Sequence, residues 1–474
     1  MNFLRKGGLP MAERTVAAIA TPNAAGGIGI VRISGGDALA IASKVFLPTK
    51  EGVSLGDVPG YTMLFGTVVE APDGAPSPID QAVCLVFRAP ASYTGEDVVE
   101  LQCHGGMYLM QRILRAVLAA GAEPAGPGEF TKRAFLNGKL DLSEAESVMG
   151  IISAHGEQAA NTAYHALEGS LSKEIRSVTD VFIAAAAHMA AWADYPDEIY
   201  EEELDYSVLL TQFREAYGRL DALKAKFDAG QAITEGVETA IVGRPNVGKS
   251  TLMNALLGRD RSIVTSIAGT TRDVVEETAR IGNVVLRLAD TAGLHESEDV
   301  VESIGIQMAE EKLEHADLVL AVFDGSEALS DEDYALLKKV SASPSRKSIA
   351  IINKSDLGTS VSEEDLSPYV TAVITLSAKD PNCYEQMRVL LEDLLGTADF
   401  DPSAAMLQNE RQLSCVARAM NAIEDAISGI TSGLTMDALS VCVDDAIAPL
   451  LELTGESVSD TIIEQVFATF CVGK

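Results

Sequence analysis

The chain has 474 residues, and at roughly 100–200 residues per domain that length points to about three domains and excludes a single core. Its 47% hydrophobic and 22% charged content excludes a mostly disordered chain. The 36 basic against 69 acidic side chains give a formal charge of −33, which repels polyanions and excludes a broadly basic, nucleic-acid-gripping surface. An RNA substrate would need a basic partner or a small local patch to hold it.

Six cysteines, Cys84, Cys103, Cys383, Cys415, Cys442 and Cys471, are scattered with no Cys-x-x-Cys pair. Neither a zinc site nor a disulfide framework is expected, and a reducing, cytoplasmic setting fits. The opening Met1-Asn2-Phe3-Leu4-Arg5-Lys6-Gly7-Gly8 lacks the apolar run of a signal peptide, and Met11 is a second candidate start. The Ala-rich run Val181 to Ala193, interrupted by His188, is too short to span a bilayer and reads as a buried helix face.

In chain order, the first part mixes short β-like runs (Ile28 to Ile33, Ala82 to Phe87) with glycine turns and one helical stretch near Met107 to Ala120. That mixture predicts an α+β domain over residues 1–139. From Ser143 to about Ala229 the chain is nearly free of Pro and Gly and rich in Ala, Leu and Glu, so residues 140–235 read as packed helices. Asp194-Tyr195-Pro196-Asp197 and the acidic Glu201-Glu202-Glu203 predict a solvated turn between two of them. Over residues 236–396 short apolar runs (Val237 to Val242, Val284 to Ala289, Leu318 to Phe323, Ile349 to Ile352, Val373 to Leu376) alternate with helical stretches, as in a parallel sheet wound with helices. Helical composition then returns over residues 397–474, so the α/β domain is predicted to be inserted into an all-α domain built from two segments.

Gly243-Arg244-Pro245-Asn246-Val247-Gly248-Lys249-Ser250 is a full phosphate-binding loop, set between an apolar strand and a helix that runs from Thr251 to Leu257. Its glycines let backbone N–H groups converge on phosphates, Lys249 places an ammonium on the terminal phosphates, and the Ser250 hydroxyl suits Mg²⁺. Asp290-Thr291-Ala292-Gly293 closes a later strand, where the carboxylate can reach the metal through water and the Gly293 N–H can meet a γ-phosphate. Asn353-Lys354-Ser355-Asp356 closes another. The Asp356 carboxylate can accept from both donors on one edge of guanine, a pair that adenine lacks, and Ser377-Ala378-Lys379 completes the base pocket. Thr265-Ser266-Ile267-Ala268-Gly269-Thr270-Thr271-Arg272-Asp273 occupies the switch position, with Thr271 as the second hydroxyl for Mg²⁺. Together these motifs predict a P-loop, Ras-like GTP site. Leu294 follows Gly293, so the water-orienting glutamine of Ras-like proteins is missing and another group must take its place.

Other motifs lie outside this site. They are Gly29-Ile30-Val31-Arg32-Ile33-Ser34-Gly35, Tyr93-Thr94-Gly95-Glu96-Asp97 with Glu100 and His104-Gly105-Gly106, Pro127-Gly128-Glu129-Phe130 with Arg133-Ala134-Phe135-Leu136-Asn137, and the terminal Phe470-Cys471-Val472-Gly473-Lys474. With the GTP motifs they resemble the TrmE/MnmE family of tRNA-modification GTPases, from about Arg14 to Lys474. The resemblance implies a potassium-stimulated GTPase whose G domains pair during hydrolysis in a homodimer. Potassium would lie against Asn246, Thr265, Ile267 and Thr270, supplying the positive charge that an arginine finger supplies elsewhere. Glu302 matches the family glutamate that orients the attacking water, although read alone it is a solvated helix residue.

The resemblance also implies a folate-binding-like first domain that holds 5-formyltetrahydrofolate or a related tetrahydrofolate, with Arg32, Glu100, Lys139 and Lys474 on the matching positions. Read alone, the first three are surface ion-pair residues. Cys471 is marked by the resemblance as functionally important, as a nucleophile or redox group, whereas a lone Cys is ordinarily a small buried hydrophobe. His104 is assigned no role. The implied function is modification of C5 of the wobble uridine of certain tRNAs, by aminomethyl or carboxymethylaminomethyl addition, with an FAD-containing partner; the acidic surface would leave that partner to grip most of the tRNA. The rival class is a ribosome-assembly or scaffold switch, which has no obvious use for the folate-like domain or for the Cys471-to-Lys474 tail.

Overall fold

The computed structural model of the protein describes residues 14–70, 76–154, 156–194, 206–257, 277–288, 316–343 and 346–474. They fall into two compact units, one of residues 14–149 with 454–474 and one of residues 150–453.

The first unit begins with β1 (Val16–Ile19), β2 (Ile28–Ser34), α1 (Ala38–Val45), β3 (Phe46–Pro48), β4 (Thr62–Glu70), β5 (Ser77–Phe87) and β6 (Val98–His104). It continues with α2 (Met107–Ala119), β7 (Glu123–Pro124), α3 (Glu129–Leu136) and the start of α4 (Leu142–Ser153). The seven strands form one sheet in the order β3-β4-β5-β6-β2-β1-β7. Strand period 2 sorts its faces. Val31 and Ile33 of β2 and Val99 and Leu101 of β6 are fully buried in the core that also takes α1 and α2. Arg32 and Glu100, directly paired in the β2–β6 ladder, therefore fall on the opposite face.

Two helices here exceed the single one predicted. Asp37 before α1 and Gly128 before α3 make no side-chain cap, and each helix is only 8 residues long, too short to show a clear helical period. Burial holds them instead: Ala38, Leu39, Ile41, Ala42 and Val45 of α1, and Phe130, Ala134 and Phe135 of α3, are all buried.

The chain's last helix, α15 (Asp460–Ala468), belongs to this unit, where Ile463, Phe467 and Phe470 share a core with Phe135, Leu142 and Ala145. Gly128, at φ 59°, lies close enough to the tail that a Cβ there would sit 2.9 Å from the Phe470 Cβ. Only glycine fits both the left-handed backbone and the contact.

The second unit holds α5 (Glu157–Leu167), α6 (Ser170–Asp194), α7 (Tyr206–Ala225), α8 (Phe227–Thr234), β8 (Val237–Val242), α9 (Lys249–Leu257), β9 (Glu277–Ile281) and β10 (Val284–Leu288). After them come β11 (Leu318–Asp324), α10 (Asp331–Val340), β12 (Lys347–Asn353), α11 (Glu363–Leu366), β13 (Ala372–Thr375), α12 (Cys383–Leu395), α13 (Glu410–Ser432) and α14 (Met436–Thr454). The sheet order is β13-β12-β11-β8-β10-β9, parallel except for the β9–β10 hairpin. Alternate residues of one strand enter opposite cores: Leu318, Leu320 and Val322 of β11 on one face, Val319, Ala321 and Phe323 on the other. Burial on both faces is why these strands read as unbroken apolar runs.

The helices on either side of this α/β segment in sequence share one core, which runs from Leu171 to Phe227 and from Leu407 to Leu453. The predicted run Val181 to Ala193 lies inside α6, and among the described residues no helix is long and apolar enough to cross a membrane. Phe182 and Phe213, both fully buried, stack with ring centroids 4.7 Å apart in this core. Phe182→Ala should remove about 3–5 kcal/mol of stability. The expected readout is a lower urea midpoint for loss of helical circular dichroism, and an unchanged midpoint would mean that the ring pair does not hold the bundle.

Candidate functional site

Ligands of wound sheets bind beyond the carboxyl ends of the parallel strands. Here that edge carries the Gly243–Gly248 loop after β8, Asp324 at the end of β11, Asn353 at the end of β12 and residues 376–379 after β13. Asn246 (φ 64°) and Gly248 (φ 101°) both take left-handed backbone, the geometry that turns successive N–H groups inward. Lys249, Ser250 and Thr251 open α9. The Lys249 Nζ donates to the carbonyls of Gly243 and Arg244, each at 2.7 Å, and burial pushes its pKa below the ordinary lysine value. Arg244 is anchored in turn: its Nε donates at 2.9 Å to Oδ1 of Asp333, a carboxylate only 2% exposed that also caps α10 through Ser330.

Asn353 joins the phosphate loop to the base side of the site. It is 2% exposed; its Nδ2 donates to the Val247 carbonyl at 2.8 Å, and its Oδ1 accepts from the Ala378 N–H at 2.9 Å. Next to it, the Ser377 Oγ donates at 2.7 Å to the Asp356 Oδ1, and the Lys379 N–H donates to the Ser377 Oγ at 3.3 Å. The Ser377 hydrogen bond holds the Asp356 carboxyl below its ordinary pKa, so it is an acceptor at neutral pH. Lys354, at φ 64°, reaches Asp324 Oδ2 at 2.5 Å. The structure thus brings together Asn246, Val247, Gly248, Lys249, Ser250 and Thr251 as one loop and helix start, and Asn353, Lys354, Asp356, Ser377, Ala378 and Lys379 as a second cluster tied to it.

Thr265, Ser266, Ile267, Ala268, Gly269, Thr270, Thr271, Asp290, Thr291, Ala292, Gly293 and Glu302 lie outside the described residues. The β9–β10 hairpin that separates the first group from the second is described. Its turn is held by α12 and by Thr397, two residues beyond it: Gly282 N–H donates to the Tyr384 hydroxyl at 3.2 Å, Asn283 N–H to Glu392 Oε1 at 3.1 Å, and Asn283 Nδ2 to the Thr397 carbonyl at 3.3 Å.

A second polar cluster lies in the first unit. Arg32 Nε donates to Glu100 Oε1 at 2.8 Å, with side chains 18% and 14% exposed. The Arg32 guanidinium lies 5.7 Å from the Tyr93 ring centre and 5.3 Å from that of Phe130, and the Tyr93 hydroxyl hydrogen-bonds Thr131 at 2.9 Å. Lys139 Nζ donates at 3.2 Å to the carbonyl of Pro90, in the loop that leads to Tyr93. The tail docks beside the same elements: Gly128 N–H donates to the Cys471 carbonyl at 3.2 Å, Phe130 N–H to the Lys474 carbonyl at 3.0 Å, and Pro127 and Val472 form an antiparallel bridge. Cys471 itself is exposed. His104 pairs with Asp80 at 2.9 Å, away from this cluster's contacts.

Sequence reasoning did not assign Tyr93 and Phe130 as the rings that flank Arg32, nor Asp324 and Asp333 as anchors. The first two stand inside motifs that were singled out; Asp324 carried a weaker signal, a carboxylate directly after an apolar strand.

Comparison with known proteins identifies the family of the whole chain. The model for the GTP-binding protein TrmE N-terminus matches residues 15–139, and the model for the MnmE helical domain matches residues 142–471. The tRNA modification GTPase MnmE of Lactobacillus johnsonii is 40% identical over 462 residues, covering 97% of this chain and 98% of that protein. The same-named proteins of Geobacillus kaustophilus and Lactococcus lactis are 39% and 40% identical, each over 97% of this chain and 99% and 98% of their own lengths. The chain therefore belongs to the MnmE family of tRNA modification GTPases.

Proposed function

We propose that this protein hydrolyses GTP as a conformational switch while helping to modify C5 of the wobble uridine of certain tRNAs, as a cytoplasmic homodimer working with an FAD-containing partner. The observation that supports the GTP part is the double hydrogen bond of Asn353, which ties the Gly243–Gly248 loop to Ala378, next to the Ser377 that hydrogen-bonds Asp356. Asn246 to Thr251 take the phosphates. Asp356, with Ser377, Ala378 and Lys379, takes the guanine edge, and the Lys354 stem covers the base. Thr265 to Thr271 and Asp290 to Gly293 would meet the γ-phosphate and its metal. Ser250 and Thr271 would hold Mg²⁺, which neutralises phosphate charge when bound. Asn246, Thr265, Ile267 and Thr270 would hold K⁺, which adds positive charge where negative charge builds up in hydrolysis. Glu302 orients the water.

The donor set of the first unit suits a folate. Arg32, against two aromatic rings, and its partner Glu100 offer a cation and an acceptor, and Lys139 and Lys474 add cations for carboxylates. A tetrahydrofolate bound there would supply the one-carbon unit. Cys471, exposed at the end of a strapped tail, acts in the modification chemistry. The formal charge of −33 leaves the partner to grip most of the tRNA.

Asp356→Asn should weaken GTP binding and raise the relative affinity for xanthosine triphosphate, because one acceptor of the pair becomes a donor; retained discrimination against the xanthine nucleotide would remove Asp356 from the base pocket. Steady-state GTP turnover should rise markedly when potassium replaces sodium at equal ionic strength. In the same assay Glu302→Ala should keep nucleotide affinity but slow turnover by about 100-fold or more. Equal rates in the two salts would count against the cation site, and normal turnover in the variant against Glu302. Cys471→Ser should reduce tRNA modification while GTP turnover stays normal; an unaltered modification rate would exclude thiol chemistry.

A further inference from the structure

We infer that Asp324 is a positioning residue for the guanine nucleotide, acting through Lys354. This rests on the reading above that the Lys354 stem covers the base.

Parallel pairing of β11 with β12 sets Asp324 directly beside Asn353, and so one residue from Lys354. The chain turns sharply at that point, and Lys354 takes a left-handed backbone that side chains other than glycine rarely adopt. Its ammonium reaches back to Asp324 Oδ2 at 2.5 Å. The other carboxylate oxygen, Oδ1, accepts from the Ser326 N–H at 3.0 Å and the Ser326 hydroxyl at 2.6 Å. With both oxygens engaged and the side chain only 10% exposed, the carboxylate has one orientation. Burial works to raise the Asp324 pKa, but the hydrogen bonds from Lys354 and Ser326 outweigh it and hold the group ionised.

The surrounding backbone repeats the arrangement. Gly325 N–H donates to the Asn353 carbonyl at 2.8 Å, and Ser360 N–H donates to the Gly325 carbonyl at 2.6 Å. A Cβ on Gly325 would sit 2.8 Å from that same Asn353 carbonyl oxygen, so the two strand ends meet only because residue 325 is glycine. Both ends of Lys354 are thus held: the ammonium by the ion pair with Asp324, and the strand end that precedes its backbone by the Gly325–Asn353 hydrogen bond. A lysine stem otherwise loses several freely rotating bonds on covering a base; here they are ordered before the nucleotide arrives, which strengthens binding without any contact between Asp324 and the ligand.

The test is a double-mutant cycle of Asp324→Asn, Lys354→Met and the pair, with the Kd of a fluorescent GDP measured on the full chain and calibrated to the binding-competent fraction. Asp324→Asn should raise Kd about ten-fold, alone and for inosine diphosphate equally, because the carboxylate does not read the base edge. In the Lys354→Met background the same substitution should change Kd less than about two-fold. Asp324→Glu should recover part of the loss. A full loss in the Lys354→Met background, or an unchanged Kd for Asp324→Asn, overturns the assignment. An unchanged Kd for Lys354→Ala, which removes the stem itself, overturns the base-cover reading beneath it. If Asp324→Asn does not fold, Ser326→Ala, which removes the hydroxyl bond to the other carboxylate oxygen and leaves only the backbone one, should raise Kd about two- to three-fold in the wild-type background and not with Lys354→Met.

Discussion

The nucleotide edge depends on one buried amide. Asn353 can be buried because both of its polar atoms are satisfied, one by the phosphate loop and one by the loop after β13. Losing either partner would leave an unpaired polar atom in a dry site, at a cost of about 1–3 kcal/mol. The two loops are therefore coupled: one does not shift without the other. Two aspartates extend the constraint outward. Asp333 holds Arg244 of the phosphate loop, and Asp324 holds Lys354 beside Asn353. Each is nearly buried, and each pairs with a side chain that would otherwise be free to rotate.

From this rigid edge the fold leads outward along one described route. The β9–β10 hairpin lies in sequence between the two segments proposed to meet the γ-phosphate, and its turn is gripped by Tyr384 and Glu392 of α12 and by Thr397. Beyond Thr397 the chain enters α13 and α14, whose buried faces complete the helical core with α6 and α7. A displacement of the hairpin would thus press on the element that leads into that core. Packed and hydrogen-bonded groups join the hairpin turn to the chain that enters the helical core.

The tail is an equally specific arrangement in the first unit. Backbone hydrogen bonds at Gly128 and Phe130 position Cys471 and Lys474 without using their side chains. The Cys471 side chain remains exposed, and the Phe130 ring stays against Arg32. A short strand-like strap of this kind fixes where the terminus lies and leaves chemistry to the side chains.

Much of this was legible in sequence because local rules sufficed. Strands buried on both faces must be apolar throughout, so the parallel strands from Val237 to Thr375 could be read directly, within a residue or two at their ends. The phosphate loop and Asn353-Lys354-Ser355-Asp356 are contiguous, and their chemistry follows from residue type and spacing. The helices α1 and α3 could not be read, since they are only 8 residues long and exist by burial against a sheet formed from distant residues. The same limit applies to sites assembled across the chain. Arg32 and Glu100 are 68 residues apart and meet only through the register of β2 and β6, while Asp324 and Lys354 meet only because β11 lies beside β12. The docking of Phe467 and Phe470 with Phe135 joins residues more than 300 positions apart. By itself, the sequence determined the strand and helix periods and the contiguous motifs, because both are written in neighbouring residues. Only the tertiary structure decided which distant charges pair, which rings flank Arg32 and where the tail lies, because those contacts depend on strand order and register, which no local pattern encodes.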